Sequence, residues 1–331
     1  FTVIFILRRI IRKKSVDIVQ SFMFTANFWT RLSLLFRKRP IIISCERSVD
    51  TWKTSLHRVI DKFFSTFTAK IVANSKAVRD FIVNSEGIDP RKVAVIQNGV
   101  DERFLNTSYT GFRQQLLHSL DRDAIDYSLT YRYIFDKIFK FRGAGVILGS
   151  ICRFNPRKDL ENLIRAFRIV KDKFPHSHLL LMGDARLPLE FPYKKRILKL
   201  ISELSLNMDI THFSFCEDIL PILALIDIYV QSSEIEGFPN TVLEAMALKK
   251  AVVATDVGGT AEIIEDKLSG FLVPPGDPEK LADSILLLAK DPNIRKQTGI
   301  HARNRIMENF TIHKMIEKYE ELFVRMVGGK V

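Results

Sequence analysis

Cysteine is scarce in this sequence. Cys45, Cys152 and Cys216 stand far apart with no Cys-x-x-Cys pair, which argues against a disulfide framework or a cysteine-built zinc site and for a reducing compartment. Three small apolar fillers is the plain expectation. Long hydrophobic runs are missing too. The best two, residues 2–7 and 219–230, are closed by Arg8 and Arg9 or interrupted by Asp227, well short of the ~20 apolar residues that span a bilayer. The seven histidines show no metal-ligand spacing. No GxxxxGK[ST], HExxH or GxSxG motif occurs, which disfavours P-loop phosphotransfer, zincin and α/β-hydrolase chemistry. Phe1 is not an initiator Met, and residues 2–7 have neither a cationic n-region before them nor a small-residue cleavage site after. The start therefore reads as an incomplete first domain rather than a signal peptide.

What is present is ordinary for a soluble globular chain: 331 residues, 47% hydrophobic and 27% charged, a length that predicts two domains. The net charge of +12 is unevenly placed. Residues 1–145 hold 25 basic and 13 acidic side chains, whereas residues 146–331 hold 25 of each. Basic clusters at 8–14 and 37–39 lie among Phe22, Phe24, Phe28, Trp29 and Phe36. That mixture suits an anionic membrane surface or an acidic substrate, although a solvated basic face with no partner is the plainer alternative. No nucleic-acid recognition motif accompanies it, so nucleic acid is not an expected partner.

Short β-branched runs alternate with amphipathic helical segments, which predicts an α/β protein with parallel sheets. In the first half, 17–22, 41–45, 70–75 and 92–100 read as strands, and 28–39, 55–69 and 75–87 as helices; the last has a Ser start and a Gly stop. A second series starts at 145. Its strands are expected near 145–154, 178–184, 226–233, 250–256 and 270–275, with helices at 159–174, 193–206, 241–248 and 277–291. Two such series imply two Rossmann-like domains facing a cleft, with ligands beyond the carboxyl ends of the strands. The expected division is 1–143, 144–310 and a final helical segment 311–331. Residues 109–142 fit neither series and read as a linker or inserted helix.

Three constellations carry chemistry. In RFNPRKDLENL (153–163), Arg153 and Lys158 leave a strand-to-helix loop, where two cations can hold a diphosphate; a solvated basic loop is the alternative. In SSEIEGFPNTVLEAMAL (232–248), Glu236 lies in a Gly-Phe-Pro loop and Glu244 follows on a helix beginning near Asn240 or Thr241. Amides at that helix start favour phosphate, and the carboxylates can accept sugar hydroxyls. Thr241-x-x-Glu244 also fits a capping box. In ATDVGGTAEII (254–264), Gly258 and Gly259 let a backbone approach a phosphate or sugar, or simply make a turn. Gly183, after another strand, is read the same way: the floor of a pocket or a turn.

Together, in this order and at these distances, the segments CRFNPRKDLENLIRAF, LLLMGD, HFSFCEDILPILALIDIYVQSSEIEGFPNTVLEAMAL, AVVATDVGGTAEII and GFLVPPGDPEKLADSI closely resemble the retaining group 1 (family 4) glycosyltransferases of GT-B fold. Residues 73–104 resemble the same family's exit from its first domain. The resemblance implies that Arg153 and Lys158 bind the diphosphate, that Glu236 meets the donor sugar with Gly237, Phe238 and Asn240 beside it, and that Glu244 binds the ribose. Backbone near Thr241 and Val242 would meet phosphates. It further implies a UDP- or GDP-sugar donor, retention, no metal and no cofactor, and a final helix near 311–326 returning to the first domain.

The expected function is a cytoplasmic, peripheral membrane enzyme of polysaccharide biosynthesis acting on a lipid-linked or saccharide acceptor. Asn27, Arg31, Arg47 and Ser48 are its acceptor-side candidates. A non-catalytic nucleotide-sugar-binding module and a GT-B-fold epimerase are the alternatives. Three departures stand out. The family's opening strand and Gly-rich loop have no counterpart, Gln20-Ser21-Phe22 replaces a frequent His, and Lys249, Lys250 and Ala251 replace a Gly and Pro pair. The last is expected to alter only a turn.

Overall fold

The computed structural model describes residues 2–37, 39–106, 145–214 and 218–328. They form two compact units. The first comprises Phe1–Gly99, Glu236–Pro239 and Phe310–Val331; the second comprises Val100–Ile235 and Asn240–Asn309. The second unit thus takes the chain from Val100 rather than from residue 144. Phe104 is fully buried there, and the Arg303 guanidinium donates to the Leu105 carbonyl. The segment 109–142 and Cys216 lie outside the described residues.

The first unit runs α1 (Thr2–Lys14), β1 (Ile18–Phe22), α2 (Met23–Ser33), β2 (Ile41–Glu46), α3 (Ser55–Ser65), β3 (Lys70–Ala73), α4 (Lys76–Glu86) and β4 (Val93–Val95). Its strands are parallel in the order β1-β2-β3-β4, with Phe22 opposite Cys45 and Cys45 opposite Val72. The end signals of α4 act as their chemistry dictates. The Ser75 hydroxyl accepts the Val78 N–H, and Gly87 closes the helix in the left-handed region at φ 67°. Helix α2 begins earlier than expected, because the chain turns sharply at Met23 (φ 70°) directly after β1. Ile43, Cys45, Val72 and Ile96 form a core on which Met315, Tyr319, Leu322 and Phe323 of the C-terminal helix Ile312–Gly328 pack.

The second unit contains α5 (Glu102–Asn106), β5 (Val146–Ile151), α6 (Leu160–Lys173), β6 (Ser177–Met182), α7 (Phe191–Glu203), β7 (Ile210–Phe213), α8 (Leu220–Leu225), β8 (Ile228–Gln231), α9 (Asn240–Ala247), β9 (Ala251–Thr255), α10 (Thr260–Ile263), β10 (Phe271–Val273), α11 (Pro278–Lys290) and α12 (Pro292–Asn309). The expectations omitted β7, α5, α8 and α12, whereas α10 follows Gly258 and Gly259 as a helix expected there. All six strands are parallel, in the order β10-β9-β8-β5-β6-β7. Every residue of β6, β8 and β9 is buried, as a parallel sheet covered on both faces requires. Side chains such as Phe167, Leu179 and Leu181 are fully buried in its core, each worth roughly 1.5–3 kcal/mol. The winding reverses between β5 and β8, which places a crevice at their carboxyl ends, where doubly wound sheets bind ligands. The first sheet has no reversal among its described strands.

Candidate functional site

One glycine sets how closely the strand ends approach. Gly183 follows β6 at φ 139°, and a Cβ there would stand 1.7 Å from the Cys152 carbonyl oxygen. Its N–H donates to the Phe213 carbonyl at 3.0 Å, and the Cys152 N–H donates to the Met182 carbonyl at 3.0 Å. Close backbone approach therefore ties together the ends of β5, β6 and β7, and more than a simple turn is at stake.

Arg153 leaves β5 with 46% of its side chain exposed, and its Nε lies 3.0 Å from Oε1 of the buried Glu190. Asn155 caps the next turn by accepting the Arg157 N–H at 3.0 Å, and its own amide donates to Glu190 at 2.8 Å. A 3-10 turn over Pro156–Lys158 follows. Asp159 then starts α6, its carboxylate accepting the Asn162 N–H at 3.3 Å. Glu190 and Asn155 were passed over at the level of sequence: a Pro-Leu-Glu run signals a helix start, and nothing local links it to Arg153.

The loop after β8 is fastened to this one. The Ser232 hydroxyl donates to the Lys158 carbonyl at 2.8 Å, and the Glu234 N–H donates to the Arg157 carbonyl at 2.8 Å. The Thr255 hydroxyl donates to the Ser233 carbonyl at 2.5 Å, tying the same loop to β9. Helix α9 opens at Asn240, which is exposed; Thr241 is half-buried and Val242 fully buried. Thr241 thus lies within the first turn and is not the N-cap, so the alternative reading of Glu244 as part of a capping box does not hold.

Instead, Glu244 Oε2 is shut off from solvent without a hydrogen-bond partner. Burial pushes this carboxyl up to about 7, with Arg103 opposing the rise and Asp101 adding to it. A buried, unsatisfied acceptor is costly and is suited to a ligand hydroxyl. Gly258 (φ 55°) and Gly259 precede only the single turn of α10; the structure gives them the geometry of a turn.

Glu236–Pro239 belong to the first unit. Glu236 is half-buried. Gly237 sits against the loop after β2, where a Cβ would meet the Arg47 carbonyl oxygen at 2.2 Å. Asn98 donates to the Phe238 carbonyl at 3.4 Å, and the Phe238 and Phe310 rings lie 5.7 Å apart. Arg47 Nη2 donates to Asn98 at 2.7 Å, and the Ser48 hydroxyl donates to Asp50. Gly237, Phe238, Arg47 and Ser48 are therefore brought together within this unit.

Asn27 and Arg31 are not surface residues, which corrects their assignment to the acceptor side. One turn apart on α2, they face β2. Asn27 donates to the Cys45 carbonyl (3.2 Å) and to Glu46 (2.9 Å). Arg31, 1% exposed, pairs with Asp61 at 2.8 Å and donates to the Ser44 hydroxyl at 3.0 Å. Lys53 joins the cluster, 2.8 Å from Asp61 and 2.9 Å from Glu86. Burial pushes Glu46 up to about 7 although Lys53 opposes it. These charges are satisfied internally and hold α2, α3 and α4 onto the sheet.

Residues 134–305 match the family model of glycosyl transferases group 1, and residues 1–104 match that of Glycosyltransferase Family 4. The chain is 26% identical over 249 residues to the N-acetyl-alpha-D-glucosaminyl L-malate synthase of Bacillus anthracis, covering 72% of this chain and 64% of that protein. It is 20% identical to the UDP-Gal:alpha-D-GlcNAc-diphosphoundecaprenol alpha-1,3-galactosyltransferase of Escherichia coli, covering 98% of this chain and 79% of that one. The chain thus spans less than two thirds of the first of these relatives. Among solved structures, Anabaena HepE in complex with UDP superposes with a TM-score of 0.80 at 21% identity, covering 96% of this chain and 81% of HepE. Likeness of this degree shows the fold, which is of the GT-B type.

Proposed function

Because this chain belongs to the group 1 glycosyl transferases, we propose that it moves a sugar from a UDP- or GDP-linked donor to a lipid-linked or polysaccharide acceptor, with retention at the anomeric carbon. The observation that carries this is the pinning of the Ser232–Glu234 loop to the Arg157–Lys158 backbone at the sheet's reversal. It fastens the loop after β8 to the segment that carries the diphosphate candidates Arg153 and Lys158. The UDP of HepE and the UDP-sugar named for the Escherichia coli relative support the donor class.

On this reading, Arg153, Lys158 and the amides at the start of α9 compensate the charge that grows on the departing nucleoside diphosphate. They supply what a metal ion supplies in other diphosphate sites, so none is invoked. Glu244 accepts a ribose hydroxyl, and Glu236 accepts hydroxyls of the transferred sugar. The acceptor oxygen bonds to the anomeric carbon on the face from which the diphosphate leaves. The anomeric carbon–oxygen bond to the diphosphate breaks, and the acceptor proton passes to the departing phosphate oxygen. Positioning and electrostatics then carry the step without a dedicated base.

A lipid-linked acceptor at an anionic membrane surface fits the first unit. Leu56, Val59 and Phe63, 66%, 65% and 53% exposed, form one stripe along α3. Phe63 meets Phe67, which meets the exposed Phe36. Lys62, Arg37 and Arg39 lie in the same segments, so apolar insertion and cationic attraction coincide. Among the described residues no helix is long and apolar enough to cross a membrane.

The test is release of free nucleoside diphosphate from UDP- and GDP-sugars in the presence of a polyprenyl-diphosphate saccharide acceptor, with the product's anomeric configuration read by NMR. Glu236→Ala is expected to remove most turnover with the fold intact. Undiminished transfer by a folded Glu236→Ala protein contradicts its role, and an inverted product contradicts retention.

A further inference from the structure

Glu190 is an ionisable side chain almost wholly enclosed, 3% exposed, yet it has donors on both oxygens. Oε2 accepts the backbone N–H groups of Arg186 (2.8 Å) and Leu187 (3.1 Å), and Oε1 accepts the Asn155 amide (2.8 Å). The fourth partner is Arg153, whose Nε stands 3.0 Å from Oε1. Burial raises the pKa of this carboxyl, but the hydrogen bonds from Asn155, Arg186 and Leu187 and the charge of Arg153 outweigh it and hold Glu190 below the usual carboxylate range. It is an anion locked to two separate loops, the one after β5 and the one after β6.

We propose that Glu190 is a positioning residue for Arg153, gripping Nε so that the two terminal guanidinium nitrogens are held for the donor's diphosphate. This rests on the glycosyltransferase reading above. A guanidinium offers five N–H donors in one plane. The ion pair at Nε orients the group from its base and leaves the terminal fork, the geometry that binds phosphate in bidentate fashion, for a ligand. Arg153 is half-exposed and long, so without the grip it samples many rotamers and loses more freedom on binding. Asn155 contributes by holding Oε1 from the far side while its own oxygen caps the Pro156–Lys158 turn, which places the Lys158 backbone in the same frame.

The rival role is local: Glu190 also closes the 3-10 turn Pro188–Glu190 by accepting the Leu187 N–H. The two separate in a calorimetric titration of UDP and GDP, each beside its monophosphate, against the unaltered chain, Glu190→Gln, Arg153→Ala and the double variant. Glu190→Gln is expected to weaken binding of the nucleoside diphosphate about tenfold, to leave the monophosphate nearly unchanged, and to cost nothing further in the Arg153→Ala background. Equal losses for mono- and diphosphate, or a loss that persists without Arg153, overturn the proposal in favour of the turn. So does unaltered binding by Glu190→Gln.

If Glu190→Gln does not fold, Arg153→Lys replaces it. It keeps the charge but not the gripped fork, and is expected to lose comparable diphosphate affinity; full affinity overturns the proposal. Failure of the unaltered chain to bind either diphosphate overturns the glycosyltransferase reading itself, and this proposal with it.

Discussion

Glu244 holds one oxygen out of water with no donor to meet it, and its carboxyl is pushed up to about 7, chiefly by burial. A folded-state pKa above the unfolded 4.5 means that the native protein keeps this proton as pH rises from about 4.5 to 7, so the group's contribution to stability falls across that window. A ribose hydroxyl reverses the preference, because the ionised form is the better acceptor. Nucleotide affinity is therefore expected to rise roughly tenfold between pH 6 and 8, and Glu244→Gln to flatten that rise. Calorimetry at the two pH values on both proteins checks it, since titration of the ligand's own phosphate is common to both. The sequence singles out Arg153, Lys158, Glu236 and Glu244 because loop and helix-start signals flank them. Asn27 and Arg31 misled, because only the contact of α2 with β2 shows that they point inward. Lys250, expected merely to alter a turn, is buried and donates to the Ala224 and Ile226 carbonyls at 2.8 and 2.6 Å. It satisfies the end of α8, a helix that the sequence did not reveal.

The strand ends that carry the loops depend on Gly183. With φ at 139° and the Cys152 carbonyl where a Cβ would go, Gly183→Ala has to part β5 from β6 just before Arg153. Destabilisation of roughly 2–4 kcal/mol is expected in urea unfolding, accompanied by weaker nucleoside diphosphate binding. A fully stable alanine variant contradicts this account of the strand ends. Periodicity found β1 to β6 and β8 to β10 because they are short, β-branched and bounded by turn residues, though β4 covers only Val93–Val95 of the expected 92–100. It missed β7, whose Ile-Thr-His-Phe run is too short and polar to show alternation. It missed α12 because the helix buries only Thr298, Gly299, Ala302 and Ile306, a narrow stripe of mostly small residues. There Gly299 is required by the Lys249 carbonyl, 2.0 Å from where its Cβ would stand. The boundary near 143 was misplaced because α5 is held in the second unit by tertiary contacts such as Arg303 with Leu105, which no local pattern encodes.

For the whole molecule, the basic excess read from the sequence falls mostly in the first unit. The basic half bears the apolar stripe of α3, and the neutral half bears the doubly wound sheet. Binding to vesicles that contain about a third anionic lipid is expected, with little binding to neutral vesicles and a loss of at least tenfold in a Val59→Glu, Phe63→Glu variant; equal binding to neutral vesicles contradicts the electrostatic part. The central claim concerns the other half: that the crevice at the β5–β8 reversal holds a nucleoside diphosphate through Lys158 and its neighbours. The most direct measurement is the melting temperature of the unaltered and Lys158→Ala proteins with saturating UDP- and GDP-sugars. The account predicts a rise of several degrees for the unaltered protein with at least one donor, and little or none for the variant. An equal rise in both, or none with any donor in the unaltered protein, contradicts it.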